Sequence, residues 1–269
     1  MTAGGSLLLN GVSKEYDTAR GALPAVEDCT LEIAPGEFHV IVGPSGCGKT
    51  TLLNAIAGFH HITGGEIRLD DRVLCDAHSP QAQPGADRVV VFQHCTLFPW
   101  RTVLDNVTYG PVVQGRMTRS QARALARERL AQAGLSGIED RYPGALSSGT
   151  QRRVEIVRAL VNEPLVLLLD EPFRGMDAIT RSVMHEALLE LHDRARTTVF
   201  FITHDIDEAV FLGSRVSVLT SRPGRVMATI DIDLPRPRDV SLLSTPRLAQ
   251  LTAHVLEVVQ GEAQAAFEA

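Results

Sequence analysis

The chain has 269 residues, 44% hydrophobic and 22% charged, an ordinary composition for a soluble globular protein and enough for one large domain or a domain with a sizeable insertion. With 26 Lys and Arg against 32 Asp and Glu the net charge is −6, which argues against nucleic acid as the main partner but leaves room for a local nucleotide site. The four cysteines (Cys29, Cys47, Cys75, Cys95) form no CxxC pair and no apolar run reaches the roughly 18 residues of a bilayer span, so reduced thiols and a cytosolic chain are expected.

In chain order, "SLLLNGVSKEY" and "AVEDCTLEI" read as strands. Pro35-Gly36 turns the chain into a strand at Phe38–Val42, a Gly-rich loop follows, and a helix covers Thr50–Ala57 up to Gly58. "GGEIRLDDRVL" predicts a hairpin and "RVVVFQ", Arg88–Gln93, a short buried strand. The texture turns helical over roughly 99–160. Within it Thr118 and Gln121 have capping-box spacing, Ala122, Leu125, Ala126, Leu130 and Ala133 make one face, and Gly134 stops the helix. Strands return at 165–170, 197–203, "RVSVLT" and "RVMATIDI", with helices around 178–194 and from Asp205. The tail carries Leu248, Leu251, Val255 and Val258 at helical spacing. The alternation predicts an α/β fold with a mainly parallel sheet covered by helices, an N-terminal antiparallel β subdomain and an inserted α-helical subdomain over roughly 99–160. Residues 1–230 are expected to form the main domain and 231–269 a C-terminal extension with a helix.

Between strand and helix lies "GPSGCGKT": Gly43, Pro44, Ser45, Gly46, Cys47, Gly48, Lys49 and Thr50. It fits G-x-x-x-x-G-K-[ST] at every fixed position, in the context that a phosphate-binding loop requires. Its glycines let backbone N–H groups wrap phosphates without Cβ clashes. Lys49 is expected to reach the β- and γ-phosphates of ATP and Thr50 to ligate Mg²⁺, with Thr51 completing the nucleotide site. Cys47 is read as a small filler. Asp170, which ends the apolar run "LVLLLD", suits the carboxylate that holds Mg²⁺ through water. Glu171 follows it, points elsewhere, and can orient or deprotonate the water that attacks the γ-phosphate.

These motifs with "LSSGTQRR" (146–153), "DEP" and "FITHD", in this order, resemble the ATPase subunit of ABC transporters over residues 6–225. The resemblance implies that Tyr16 stacks on adenine, that Gln93 senses Mg²⁺ and the membrane partner, and that His204 contacts the γ-phosphate. It also implies that "RGMD" ends in the D-loop residue Asp177, although Arg174 and Met176 stand where the family has a small residue and leucine. Ser147 and Gly149 match the signature, whereas Ser148 replaces its first glycine and Thr150 the usual Gln or Met. The family's signature binds the γ-phosphate held by a second copy, so the resemblance implies a head-to-tail dimer, a homodimer or a pair of ABC ATPases. A side chain at Gly149 is expected to clash with that incoming phosphate.

The segments "TLFPWRTVLDNVTYGP", "THDIDEAVFLGSRVSVLTSRPGRV" and "LPRPRD" are also similar to the nitrate/sulfonate/taurine importer branch. This implies a polytopic permease, an extracytoplasmic solute-binding protein and a peripheral place on the cytoplasmic face of the membrane. Phe98 and Trp100 are expected at the groove that faces the permease. A soluble ABC-type ATPase acting on nucleic acid or ribosomes is the alternative; a P-loop kinase or GTPase leaves the signature and His204 without a place.

Overall fold

The computed structural model describes residues 4–19 and 21–268. Two sheets organise them. Strands β1 (Leu7–Thr18), β2 (Gly21–Ile33), β4 (Gly64–Leu69) and β5 (Arg72–Cys75) form an antiparallel sheet in the order β2-β1-β4-β5. The second sheet runs β10-β9-β3-β8-β7-β6, built from β3 (Phe38–Val42), β6 (Arg88–Val91), β7 (Val166–Asp170), β8 (Thr198–Ile202), β9 (Arg215–Leu219) and β10 (Val226–Asp231). Its pairs are parallel except β9–β10. β3, β8 and the first four residues of β7 are fully buried, as their continuous apolar runs require of strands covered on both faces.

Helix α1 (Lys49–Ala57) leaves β3 and fills the space between the sheets, where Leu52, Leu53 and Ile56 join Leu7, Leu9, Ile41 and Leu168 in one core. A second core lies on the other face, under α2 (Val103–Val113), α3 (Arg119–Gln132), α4 (Ser148–Leu160), α5 (Ala178–Ala195), α6 (Ile206–Leu212) and α7 (Pro246–Glu268). Thr118 and Gln121 make the capping box of α3, and Gly134 takes φ +66 just beyond its end. The strand at Arg88 is shorter than its apolar pattern suggested. It stops at Val91, and Phe92 turns out to the surface. The helical stretch 103–160 is inserted between β6 and β7, which nevertheless pair directly. That pairing brings both ends of the insertion back to the sheet that carries the nucleotide motifs.

Candidate active site

Parallel strands share one polarity, so the loops after β3, β7 and β8 open at the same edge of the sheet, with β8 between the other two. The phosphate-binding loop follows β3, Asp170 and Glu171 follow β7, and His204 follows β8. Gly43, Gly46 and Gly48 take φ of +154, +78 and +95. At Gly48 a Cβ would sit 2.6 Å from the Ala25 carbonyl oxygen and from Val26 Cγ2, so the loop closes onto β2 only with glycine there. Cys47 is buried and its thiol lies 3.6 Å from Lys49 Nζ. Pro44 and Ser45 form the crest of the loop, and Ser45 is exposed. Lys49 is itself buried and donates from Nζ to the Gly43 and Pro44 carbonyls at 2.8 and 2.9 Å, which keeps the ammonium at the mouth of the loop.

Thr50 Oγ1 donates to Asp170 at 3.1 and 3.3 Å, so the hydroxyl and carboxylate proposed for Mg²⁺ share one small space. Burial raises the Asp170 pKa, helped by the Glu171 charge and opposed by Thr50 and Lys49. Two oxygen donors beside a phosphate loop fit Mg²⁺, which keeps most of its water and takes few protein ligands. Such a cation would also favour the charged form of Asp170.

Glu171 adopts φ +43, a left-handed backbone costly for a residue with a Cβ, and its N–H donates to the Ile202 carbonyl at 3.0 Å. This turn breaks the strand alternation and sends Glu171 away from Asp170. Its Oε2 accepts from Arg174 Nη1 at 3.0 Å and lies 3.4 Å from His204 Nδ1. Tyr16, half-buried on β1, contacts Thr51 Oγ1 at 3.4 Å and His60 Nδ1 at 3.1 Å through its hydroxyl. Lys14 Nζ lies 4.9 Å from its ring centroid. The tyrosine therefore stands beside the helix that starts at the phosphate loop.

The remaining predicted residues lie apart from this group. Ser147 caps α4: its Oγ accepts from Thr150 N at 3.3 Å and pairs with Thr150 Oγ1 at 2.9 Å. Thr150 thus shares a hydroxyl pair with the cap. Ser148 is exposed. Gly149 is buried, and a Cβ there would meet Thr180 Cγ2 of the same chain at 3.0 Å, so packing on α5 already disfavours a side chain without any phosphate. Asp177 caps α5, accepting from Thr180 N at 2.9 Å, and those backbone bonds lower its pKa. Among the described residues no hydrogen bond or ion pair joins 147–149 or Asp177 to the phosphate loop.

Gln93 sits just past β6, and the carbonyls of Phe92 and Gln93 both accept from the Arg152 guanidinium. Arg152 in turn binds Glu155 at 2.8 Å, and Glu155 accepts from Thr96 N and Oγ1. This buried knot ties the signature helix α4 to the Gln93 segment, and reading the sequence missed it. The only signal in the chain is the i,i+3 pairing of Arg152 with Glu155, which is indistinguishable from a solvated pair. Next to the knot runs an open groove lined by Phe59, Phe92, Phe98, Tyr109, Arg116 and Arg158. Phe98 packs edge-on to Tyr109 in this groove, and the neighbouring Trp100 is 71% exposed.

A family model described as ABC transporter matches residues 26–174. The chain belongs to the ABC transporter family. It is 44% identical to the taurine import ATP-binding protein of Rhizobium johnstonii, over 87% of this chain and 88% of that one. It is 40% identical to the nitrate import ATP-binding protein of Synechococcus elongatus, over 94% and 91%. A solved dimeric ATP-binding cassette in a post-hydrolysis state, bound to ADP and Pi, superposes with a TM-score of 0.71 at 30% identity, covering 85% of this chain and all of that one. The chain is therefore an ABC ATP-binding subunit that hydrolyses ATP. No helix among the described residues is long and apolar enough to cross a membrane.

Proposed function

We propose that this ABC subunit closes head-to-tail with a second ATPase chain around two ATP molecules and drives uptake of nitrate, a sulfonate, taurine or a similar small solute through a separate polytopic permease. An extracytoplasmic solute-binding protein delivers the solute, and the chain sits on the cytoplasmic face of the membrane. The import relatives support this class, and with the acidic net charge they disfavour an ATPase acting on nucleic acid or ribosomes. The groove beside Gln93 suits the permease, because exposed aromatics with arginines favour protein interfaces.

In this reading the loop 43–48 binds the phosphates, Lys49 neutralises β- and γ-phosphate charge, and Tyr16 stacks on the adenine. Thr50 and Asp170 hold Mg²⁺, with Gln93 at its edge when the site closes; the ion would supply charge neutralisation at the transferring phosphate. Glu171 accepts a hydrogen bond or proton from the attacking water, and His204 donates to the γ-phosphate. Ser147, Ser148, Gly149 and Asp177 serve the partner's nucleotide.

The observation that carries the reading is the separation within one chain. The strand-end group is assembled around β3, β7 and β8, while the α4 N-terminus, with free N–H groups and the positive end of a dipole, meets no group of its own nucleotide loop. Mixed dimers test it. Ser147→Asp keeps an oxygen that caps the helix yet sets a negative charge against the incoming phosphate. Lys49→Ala and Ser147→Asp homodimers should each lose hydrolysis. Their mixture should regain part of it, because one of the two mixed sites then carries neither lesion. Normal turnover by the Ser147→Asp homodimer would remove the signature from the site.

A further inference from the structure

Glu171 has its main chain fixed by the bond to Ile202, but its side chain needs a partner to hold one rotamer. The structure supplies two, and both act on the same oxygen. Arg174 Nη1 donates to Oε2 at 3.0 Å and His204 Nδ1 lies 3.4 Å from it. Among the described residues Oε1 has no hydrogen-bond partner. Glu171 is largely enclosed, with 15% of its side chain exposed, whereas Arg174 reaches it from the surface with 56% exposed. Arg174 also belongs to the same turn, its N–H donating to the Glu171 carbonyl at 3.2 Å. The side chain and backbone of Arg174 therefore both grip Glu171, at a position where the family usually has a small residue.

We infer that Arg174 is a positioning residue for Glu171: it clamps Oε2 so that Oε1 remains the oxygen presented to the attacking water. The inference rests on the proposed role of Glu171. Arg174 is the hydrogen-bond donor to Oε2, while His204 Nδ1 is within ion-pair distance of it. When His204 turns to the γ-phosphate it leaves Oε2, and without Arg174 the carboxylate would gain rotamer freedom at the moment of reaction. Arg174, bonded to Oε2 from the surface side, keeps its bond through that step. A guanidinium suits this task because it is always charged and its rigid plane loses little entropy per hydrogen bond formed. The pair is partly exposed, so its contribution is modest.

Steady-state ATP hydrolysis by the full-length chain tests this in four variants. Arg174→Ala should lower kcat about three- to fivefold, the range available to a partly exposed ion pair, with KM for ATP unchanged. Arg174→Lys should recover part of the loss, having the charge without the fork. In a Glu171→Gln background, itself slow, Arg174→Ala should add nothing further, since there is no carboxylate left to position. An unchanged or raised kcat in Arg174→Ala, a change in KM alone, no recovery in Arg174→Lys, or an equal fold loss in the Glu171→Gln background would each overturn the inference. Wild-type turnover by Glu171→Gln alone would instead overturn the proposed role of Glu171, and the inference with it.

Discussion

A methyl group at Gly149 has two possible obstacles, and they lie in different molecules. One is Thr180 Cγ2, 3.0 Å away in the same chain. The other is a phosphate brought by a partner. Gly149→Ala should lower stability by about 1 kcal/mol, overpacking slightly outweighing the better helix propensity of alanine, and should lower hydrolysis. Adding Thr180→Ser removes the methyl that is struck and keeps the hydroxyl. Denaturant midpoints should then recover in the double variant, and a midpoint that stays low would show that the α5 contact is not the cause. Hydrolysis that stays low after stability returns separates the phosphate obstacle from the packing one. The same contrast explains what could be read at this scale. Lys49 and Thr50 stand out because their chemistry demands fixed spacing within one stretch of chain, and Asp170 because it ends an unbroken apolar strand. Arg152 and Arg174 do not, since an arginine declares its partner only when the fold delivers one, here the Phe92 and Gln93 carbonyls some sixty residues away.

Elements were legible where period and punctuation agreed. β3, β7 and β8 are unbroken apolar runs, and α3 carries its own cap and stop. α2 was not resolved as a separate helix, because Val103–Val113 is rich in β-branched residues and contains Pro111, a pattern that reads against helix; burial of Val103, Leu104 and Val107 overrides the propensity. α7 runs to Glu268, past the end of its apolar beat at Val258, because alanine and glutamine are good helix formers. Leu248, Leu251 and Val255 anchor α7 in the core that also holds α6, and Glu262 accepts from Ser221 N at 2.7 Å. The extension is thus packed on the ATPase body rather than trailing from it. Leu251→Ala should cost about 2–4 kcal/mol in urea unfolding, as a buried leucine does. A loss below about 0.5 kcal/mol, the size of a surface substitution, would show that α7 is not part of the core.

Across the whole molecule, a set of buried titratable groups makes stability depend on pH. His192 packs edge-on against Phe38, contacts the Gly36 carbonyl at 3.2 Å through Nε2, and has its pKa lowered to about 4, first by burial and then by Arg236. His39 lies between Glu37 and Ser217 at 2.7 and 2.9 Å, and burial lowers its pKa too. Glu37 binds His39 and Arg215, and although burial opposes it, those bonds bring its pKa to about 2. The signs agree. A histidine with a folded pKa below its unfolded value of 6.5 binds its proton more readily when unfolded, so its contribution is complete above pH 6.5 and is lost as pH falls towards about 4 for His192. Glu37 is also protonated more readily in the unfolded chain, so its contribution is complete above 4.5 and is lost between 4.5 and about 2. Unfolding free energy measured in urea should therefore be flat between about pH 7 and 8, fall below 6.5 as the two histidines take up protons, and fall further below 4.5; at the alkaline end it should fall again as pH passes 9.0, where the unfolded chain ionises Cys29, whose buried thiol has its pKa raised to about 12. His192→Gln retains a donor for Gly36 but has no proton to gain. It should remove up to one proton from the slope in the upper window, about 1.4 kcal/mol per pH unit, and leave the slope below about pH 3 unchanged. A variant whose slope between pH 6.5 and 4 matches the parent would show that His192 is not among the groups that link folding to pH.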